Sequence, residues 1–300
     1  LGLFFYDNII KRKYLPSSKS ITFNVDSDTN PLKENIKNGF EYSDCSVQDA
    51  RLVVLNAMDA KINNASIFTN TKIVKVENDG KYWNVIANFK KNNVIKTLKF
   101  SSKVIVNAAG PWTDELISKI NPSSSNPKKT KLIKGSHIIV SKLYNHKNAY
   151  IFQHKDGRII FTIPYEKKFS LIGTTDINFN GDPSKAKISE DEIKYLCDAV
   201  STYFVNQIKP NDIIWTYSGV RSLFDDGNFN AKDITRDYKI DTKELNGLNY
   251  ISIFGGKITT YRKLAEEVTK IIDKYFGQKS RNWTSSKALP GGDFSPYQFD

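Results

Sequence analysis

Three observations predict an α/β plus α+β protein, in which a strand-rich lobe is inserted between two pieces of an α/β lobe. Most of the chain reads as short strands that alternate apolar and polar residues and are joined by tight turns, the pattern of antiparallel pairing. The run "KVIVNAAGPW" is continuously apolar up to its end at Gly110-Pro111, as expected of a strand covered on both faces. The run "NYISIF" is a second short strand. It breaks at Gly255-Gly256 and gives way to Lys257 and an amphipathic helix.

Taken in order, "EYSDCSVQDARLVVLNAMDAKINNA" predicts a helix capped by Asp44 or Ser46, with Val47, Ala50, Leu52, Val53, Leu55 and Ala57 as its apolar stripe. "SIFTNTKIVKVE", "YWNVIANF" and "VIKTLKF" predict an antiparallel meander, with "NDGK" and "KKNN" as its turns. After "KVIVNAAGPW" a short helix is expected from Thr113, followed by the polar loop "NPSSSNPKKTK". "GSHIIVSK", "AYIFQ", "RIIFTIPY" and "FSLIGTTD" are successive strands, with His137 at the start of the first. "ISEDEIKYLCDAVSTYFVNQI" is a helix opened by a capping box of Ser189 and Glu192. "IIWTYSGVRSLF" is a strand running into an irregular segment, and "TRDYKIDT" precedes the final strand.

Composition narrows the function classes. The chain has 300 residues, 39% of them hydrophobic and 25% charged, enough for two lobes of a globular protein. No run of 18 apolar residues suggests a membrane-crossing helix, and no basic-then-apolar start suggests a signal peptide. Leu1 opens in mid-pattern, so a preceding segment is expected to be missing. Cys45 and Cys197 are isolated thiols, which favours a reducing compartment. His137, His146 and His154 are not spaced as metal ligands. The net charge of +12 admits nucleic acid, an anionic membrane surface or an anionic substrate as partner. The lysines are scattered and no nucleic-acid motif appears, so nucleic acid is not expected.

Six candidates could carry chemistry. Asn107-Ala108-Ala109-Gly110 ends a buried strand in small residues, where open α/β sheets bind ligands; tight packing explains it equally well. Gly255-Gly256 lets the backbone approach a ligand ahead of unpaired helix amides, although a plain strand-to-helix turn needs the same residues. Arg221, Arg236 and Lys257 suit capture of phosphate or carboxylate, with surface ion pairs as the alternative. His137 is a candidate general base, or it is structural. No G-x-S-x-G elbow or Walker motif appears.

Taken together, "GFEYSDCSVQDARLVV", "VNAAGPW", "LIKGSHIIV", "IIFTIPY", "IGTTD", "WTYSGVRSL", "ITRDY", "FGGKITTYRKLAE" and "LPGG" resemble, in order, the FAD-dependent glycerol-3-phosphate dehydrogenases of the aerobic, quinone-linked type. The resemblance implies a glutathione-reductase-like FAD-binding lobe with an inserted antiparallel-sheet substrate cap. Residues 41–136 and 247–279 would form the lobe, 1–40 and 137–246 the cap, and 280–300 the start of a C-terminal domain.

By the same resemblance FAD is the cofactor, held at Asn107, Ala108, Gly110, Gly255, Gly256 and Thr259. His137 would be the base and Arg221 would sit beside flavin and substrate, while Arg236 and Lys257 hold the substrate phosphate. The partners implied are glycerol 3-phosphate, dihydroxyacetone phosphate and membrane quinone. The location implied is the inner face of the cytoplasmic membrane, with contact to anionic lipid; a homodimer is left open. The family's G-x-G-x-x-G element does not occur here, so the chain reads as a fragment whose own FAD binding is in question. Two rivals stand beside this reading: a related FAD-dependent amino-acid or amine oxidase, and a truncated non-catalytic chain.

Overall fold

The structure, a computed structural model, describes residues 2–8, 15–23, 30–123, 130–225 and 237–295. The chain begins with helix α1 (Gly2–Asn8), then strands β1 (Lys19–Thr22) and β2 (Asn38–Glu41) and helix α2 (Asp49–Ile62). Strands β3 (Thr71–Asn78), β4 (Trp83–Lys91), β5 (Val94–Ser102) and β6 (Val104–Asn107) lead to helix α3 (Thr113–Ile120). Strands β7 (Thr130–Ser141), β8 (Tyr150–Gln153), β9 (Ile159–Tyr165), β10 (Phe169–Gly173) and β11 (Ile177–Asn178) precede helix α4 (Glu190–Ser201). Strands β12 (Ile213–Phe224), β13 (Lys239–Leu245) and β14 (Leu248–Phe254) are followed by helix α5 (Tyr261–Phe276).

Two compact units share the chain. The first comprises residues 1–46 and 133–220, the second residues 47–132 and 221–300. The sequence reading drew its cap further, to residue 246. The difference falls on β13, which pairs in full antiparallel register with β14, from Lys239 against Phe254 to Leu245 against Leu248. That pairing sets β13 within the second unit.

In the first unit the strand order is β11-β7-β10-β9-β8, with β12 also pairing β7. Alternation along the antiparallel strands gives the sheet two distinct faces. Ile138, Val140, Ile160 and Ile172 point to one face and join Leu196, Cys197, Ala199 and Val200 of α4 in a continuous core. Residues one position away form the opposite face. His137, Gly173 and Phe161 lie there side by side across β7, β10 and β9. The expected capping box is present: Ser189 accepts from the amide of Glu192, and the Glu192 side chain accepts from the amide of Ser189. The helix is shorter than expected, ending at Ser201.

In the second unit β3, β4 and β5 form the expected antiparallel meander. Its second turn is the two-residue pair Asn92-Asn93, both at positive φ, as a twisted hairpin demands. A second sheet has the order β13-β14-β6. Trp83, fully buried, packs with Val76, Ile120, Leu248 and Tyr250. Its indole donates to the carbonyl of Asn249 at 3.0 Å.

Two expectations are corrected here. Helix α2 begins at Asp49 after Gln48, with no side-chain cap bond, because the Asp44 carboxylate is turned to the amide of Cys45. No residue of α2 is buried; Val53 is 61% exposed and Ile62 66%. Strand β6 is not covered on both faces. Among the described residues it is an edge strand, and its Val106 is 40% exposed.

Candidate functional site

Strands β6 and β14 run parallel, with Asn249 opposite Val104 and Ser252 opposite Asn107. Parallel neighbours release their chains at the same edge of the sheet, so the Asn107–Gly110 and Gly255–Lys257 turns emerge together although they are far apart in sequence. The segments flanking the two turns are also tied, Thr113 at the start of α3 donating its hydroxyl to the carbonyl of Ile253 in β14 at 3.4 Å.

Each turn has a local cause. The buried Asn107 amide donates to the carbonyl of Thr113 at 2.9 Å and accepts from the amide of Ala109 at 3.2 Å, which curls the chain as β6 ends. Gly110 follows at φ +56°, and nothing lies within 4 Å of where its Cβ would stand. Gly255 and Gly256 have φ of +70° and +98°, and a Cβ on Gly255 would sit 2.9 Å from the carbonyl oxygen of Asp237. Only glycine meets both demands there. A single 3₁₀ turn, Ile258–Thr260, then separates Lys257 from α5, and the Lys257 carbonyl accepts from the amide and hydroxyl of Thr260, both at 3.0 Å.

Ala108, Gly256, Lys257 and Thr259 are exposed, and the first turn of α5 carries no acidic residue. This open backbone beside a lysine and a helix start fits a flat or anionic group. It can hold the flavin part of FAD; the chain contains no G-x-G-x-x-G for the pyrophosphate.

Arg221 departs from the sequence reading in its setting. It lies within β12, half-buried, rather than in an irregular segment after a strand. Arg236 lies outside the described residues.

His137 belongs to the first unit and sits inside the twelve-residue strand β7 rather than at a strand's start. Its imidazole stacks on the ring of Tyr217, with centroids 4.8 Å apart and planes 8° from parallel. On the other face of the sheet the neighbouring residues are locked. The hydroxyls of Ser136 and Ser218 share a 2.8 Å hydrogen bond. Ser136 also donates to Glu192 at 2.8 Å and Thr175 donates to it at 2.7 Å. The Lys134 ammonium lies 2.7 Å from the second Glu192 oxygen and donates to the carbonyl of Lys187. Burial alone would raise the pKa of Glu192. The Lys134 ammonium, the Ser189 amide and the two hydroxyls outweigh it and pull the carboxyl down to about 2.

Sequence reasoning found Glu192 only as a helix cap. Its reach to Lys134, Ser136 and Thr175 joins segments far apart in sequence, which no local pattern reports. Tyr217 and Gly173 stood inside quoted motifs without a role. Elsewhere, Cys197 is buried, its thiol pushed up to about 11 by desolvation, and Cys45 is exposed. Among the described residues no helix is long and apolar enough to cross a membrane, and no group of three His, Cys, Asp or Glu side chains could hold a metal ion.

Comparison with known proteins adds to this geometry. A protein-family model described as FAD dependent oxidoreductase matches residues 18–262. D-erythritol 1-phosphate dehydrogenase of Brucella abortus is 41% identical over the whole chain, which covers 59% of that protein. Aerobic glycerol-3-phosphate dehydrogenase of Escherichia coli is 42% identical over 97% of the chain and 57% of that protein. The chain thus spans less than three fifths of these relatives. The crystal structure of the glycerol-3-phosphate dehydrogenase from Bacillus halodurans complexed with FAD superposes with a TM-score of 0.71 at 28% identity, over 87% of this chain and 50% of that one. L-α-glycerophosphate oxidase from Mycoplasma pneumoniae, at 16% identity and a TM-score of 0.56, shares the fold.

Proposed function

Because the chain belongs to the family of FAD-dependent oxidoreductases, we propose that the whole protein oxidises sn-glycerol 3-phosphate to dihydroxyacetone phosphate. The observation that carries the reading is the parallel pairing of β6 with β14, which brings two glycine-bearing turns to one sheet edge. The names of the relatives that are 41–43% identical supply the substrate class, a polyol phosphate. An amino-acid or amine substrate finds no support among them.

FAD, when bound, supplies the acceptor for the hydride that leaves the substrate's C2. Asn107, Ala108, Gly110, Gly255, Gly256 and Thr259 are the residues that would hold it. His137 takes the proton of the 2-hydroxyl at an imidazole nitrogen, acting as general base. Arg221 polarises the reacting oxygen, while Arg236 and Lys257 bind the phosphate dianion. A membrane quinone would be the final electron acceptor. The protein works at the cytoplasmic membrane face, where its net charge of +12 favours anionic lipid.

A second reading has its own observation. The Brucella relative matches from the first residue to the last, and its named substrate is a four-carbon polyol phosphate. Dye reduction by the whole protein separates the two. Glycerol 3-phosphate is expected to give the higher kcat/KM, a higher value for D-erythritol 1-phosphate would replace it as substrate, and inertness toward both would overturn the function.

A further inference from the structure

We propose that Gly173 and Tyr217 are positioning residues that form a slot for the His137 imidazole. The slot rests on the function proposed above only for its effect on turnover; its existence is a matter of packing.

Strand pairing creates it. Gly173 of β10 is the direct partner of His137 of β7, so the two residues occupy the same face. Side chains on directly opposed residues stand only about 4.5–5.5 Å apart at Cβ, so a ring inclined over its partner needs that partner to be small. A Cβ built on Gly173 would lie 2.6 Å from Nε2 and 2.8 Å from Cγ of His137, and closer still to Cδ2. Those are its three nearest atoms, so the imidazole fills the space that a side chain at 173 would take. Gly173 does not have a positive φ, so backbone strain does not call for glycine at this position. The room it leaves for the ring does.

The flat face of the imidazole is backed by Tyr217, stacked at 4.8 Å. Trp215 continues the row, 6.2 Å from the Tyr217 ring. Beneath the sheet, the Ser136–Ser218 hydrogen bond fastens the residue before His137 to the residue after Tyr217. The two strands therefore cannot slide without breaking a buried network anchored on Glu192. The imidazole is held by a missing side chain, a stacked ring and a locked register. A base whose plane is fixed in advance loses less orientational freedom when a hydroxyl arrives.

The test uses magnetic resonance and denaturation on this chain, then turnover of the whole protein. The chain has three histidines, so the His137 ring signals are assigned as those that vanish in His137→Ala. They should be displaced upfield by the stacked ring in the native chain and in Tyr217→Phe, and should lose that displacement in Tyr217→Leu. Gly173→Ala should lower the urea midpoint, and by less than half as much when His137→Ala has already removed the ring. Unmoved signals in Tyr217→Leu, or an equal loss from Gly173→Ala in both backgrounds, overturns the slot whatever the turnover shows. In the whole protein, Tyr217→Leu should cut kcat roughly tenfold to a hundredfold, with KM within threefold and near-full rescue by Tyr217→Phe. If the signals and the coupling behave as stated but His137→Ala keeps its kcat, the slot stands and the assignment of His137 as base falls.

Discussion

Glutamine in place of Glu192 removes one charge from a buried knot that four donors converge on: the hydroxyls of Ser136 and Thr175, the amide of Ser189 and the ammonium of Lys134. Glu192 is 2% exposed, so water replaces none of these contacts. The fall of its carboxyl from 4.5 to about 2 corresponds to at most ~3 kcal/mol of folding stability, at about 1.4 kcal/mol per tenfold change in acidity. That stability is complete above about pH 5, where the unfolded chain is also ionised, and it drains away as pH falls toward 2. At pH 7, Glu192→Gln should cost ~3 kcal/mol or more, since it also strands the buried Lys134 without a counter-charge. Urea unfolding of both proteins, followed by circular dichroism from pH 7 to pH 3, measures the difference between them. It should narrow by ~2 kcal/mol over that range. A difference that stays constant with pH would show that the carboxylate is not held ionised by this knot, and the argument from its four donors would be wrong.

Four further outcomes are expected. Gly255→Ala combines a positive φ with a Cβ 2.9 Å from a carbonyl oxygen and should cost ~1–3 kcal/mol in urea titration. Trp83→Ala empties a fully buried site and removes the indole donor to the carbonyl of Asn249, for a loss of ~3–5 kcal/mol by the same method. Lys257→Ala leaves an exposed position and should not change the far-ultraviolet spectrum. In the whole protein it should lower kcat/KM for glycerol 3-phosphate roughly tenfold to a hundredfold, the worth of about 1.5–3 kcal/mol in a charge-assisted bond to phosphate. The 300-residue chain, having no G-x-G-x-x-G, should lose added FAD on dialysis; retention of stoichiometric yellow cofactor would contradict this.

What could be seen in the sequence was what neighbouring residues decide. The Ser189–Glu192 box, the Asn92-Asn93 turn and the meander through β3, β4 and β5 are each fixed by a few adjacent side chains. The break at Gly255-Gly256 was visible for the same reason, since two consecutive residues at high positive φ ahead of a helix favour glycine. The start of α2 was misplaced because Asp44 had a nearer amide to satisfy. The apolar run of β6 suggested cover on both faces, but apolar composition reports a preference for burial and not a strand's rank in its sheet. Arg221 was read near a strand's passage into an irregular segment, whereas β12 continues through it to Phe224. The setting of His137 was illegible for a different reason. It depends on which residues β10 and β12 set beside it, and register between distant strands is settled by the whole sheet.

The two units are threaded through one another along the chain, and this governs how they can fold. Lys33 reaches the carbonyl of Ser201 across 168 residues in the first unit, and Trp83 reaches that of Asn249 across 166 in the second. Closing a loop of that size in a disordered chain costs on the order of 4–5 kcal/mol of entropy beyond a constant. Each unit holds, between its two halves, a segment belonging to the other. Collapse of one therefore shortens the loop that the other must close, so the first to form lowers the barrier for the second. A chain arranged this way gains its cooperativity from connectivity as well as from contact, and no single cut can release either unit whole.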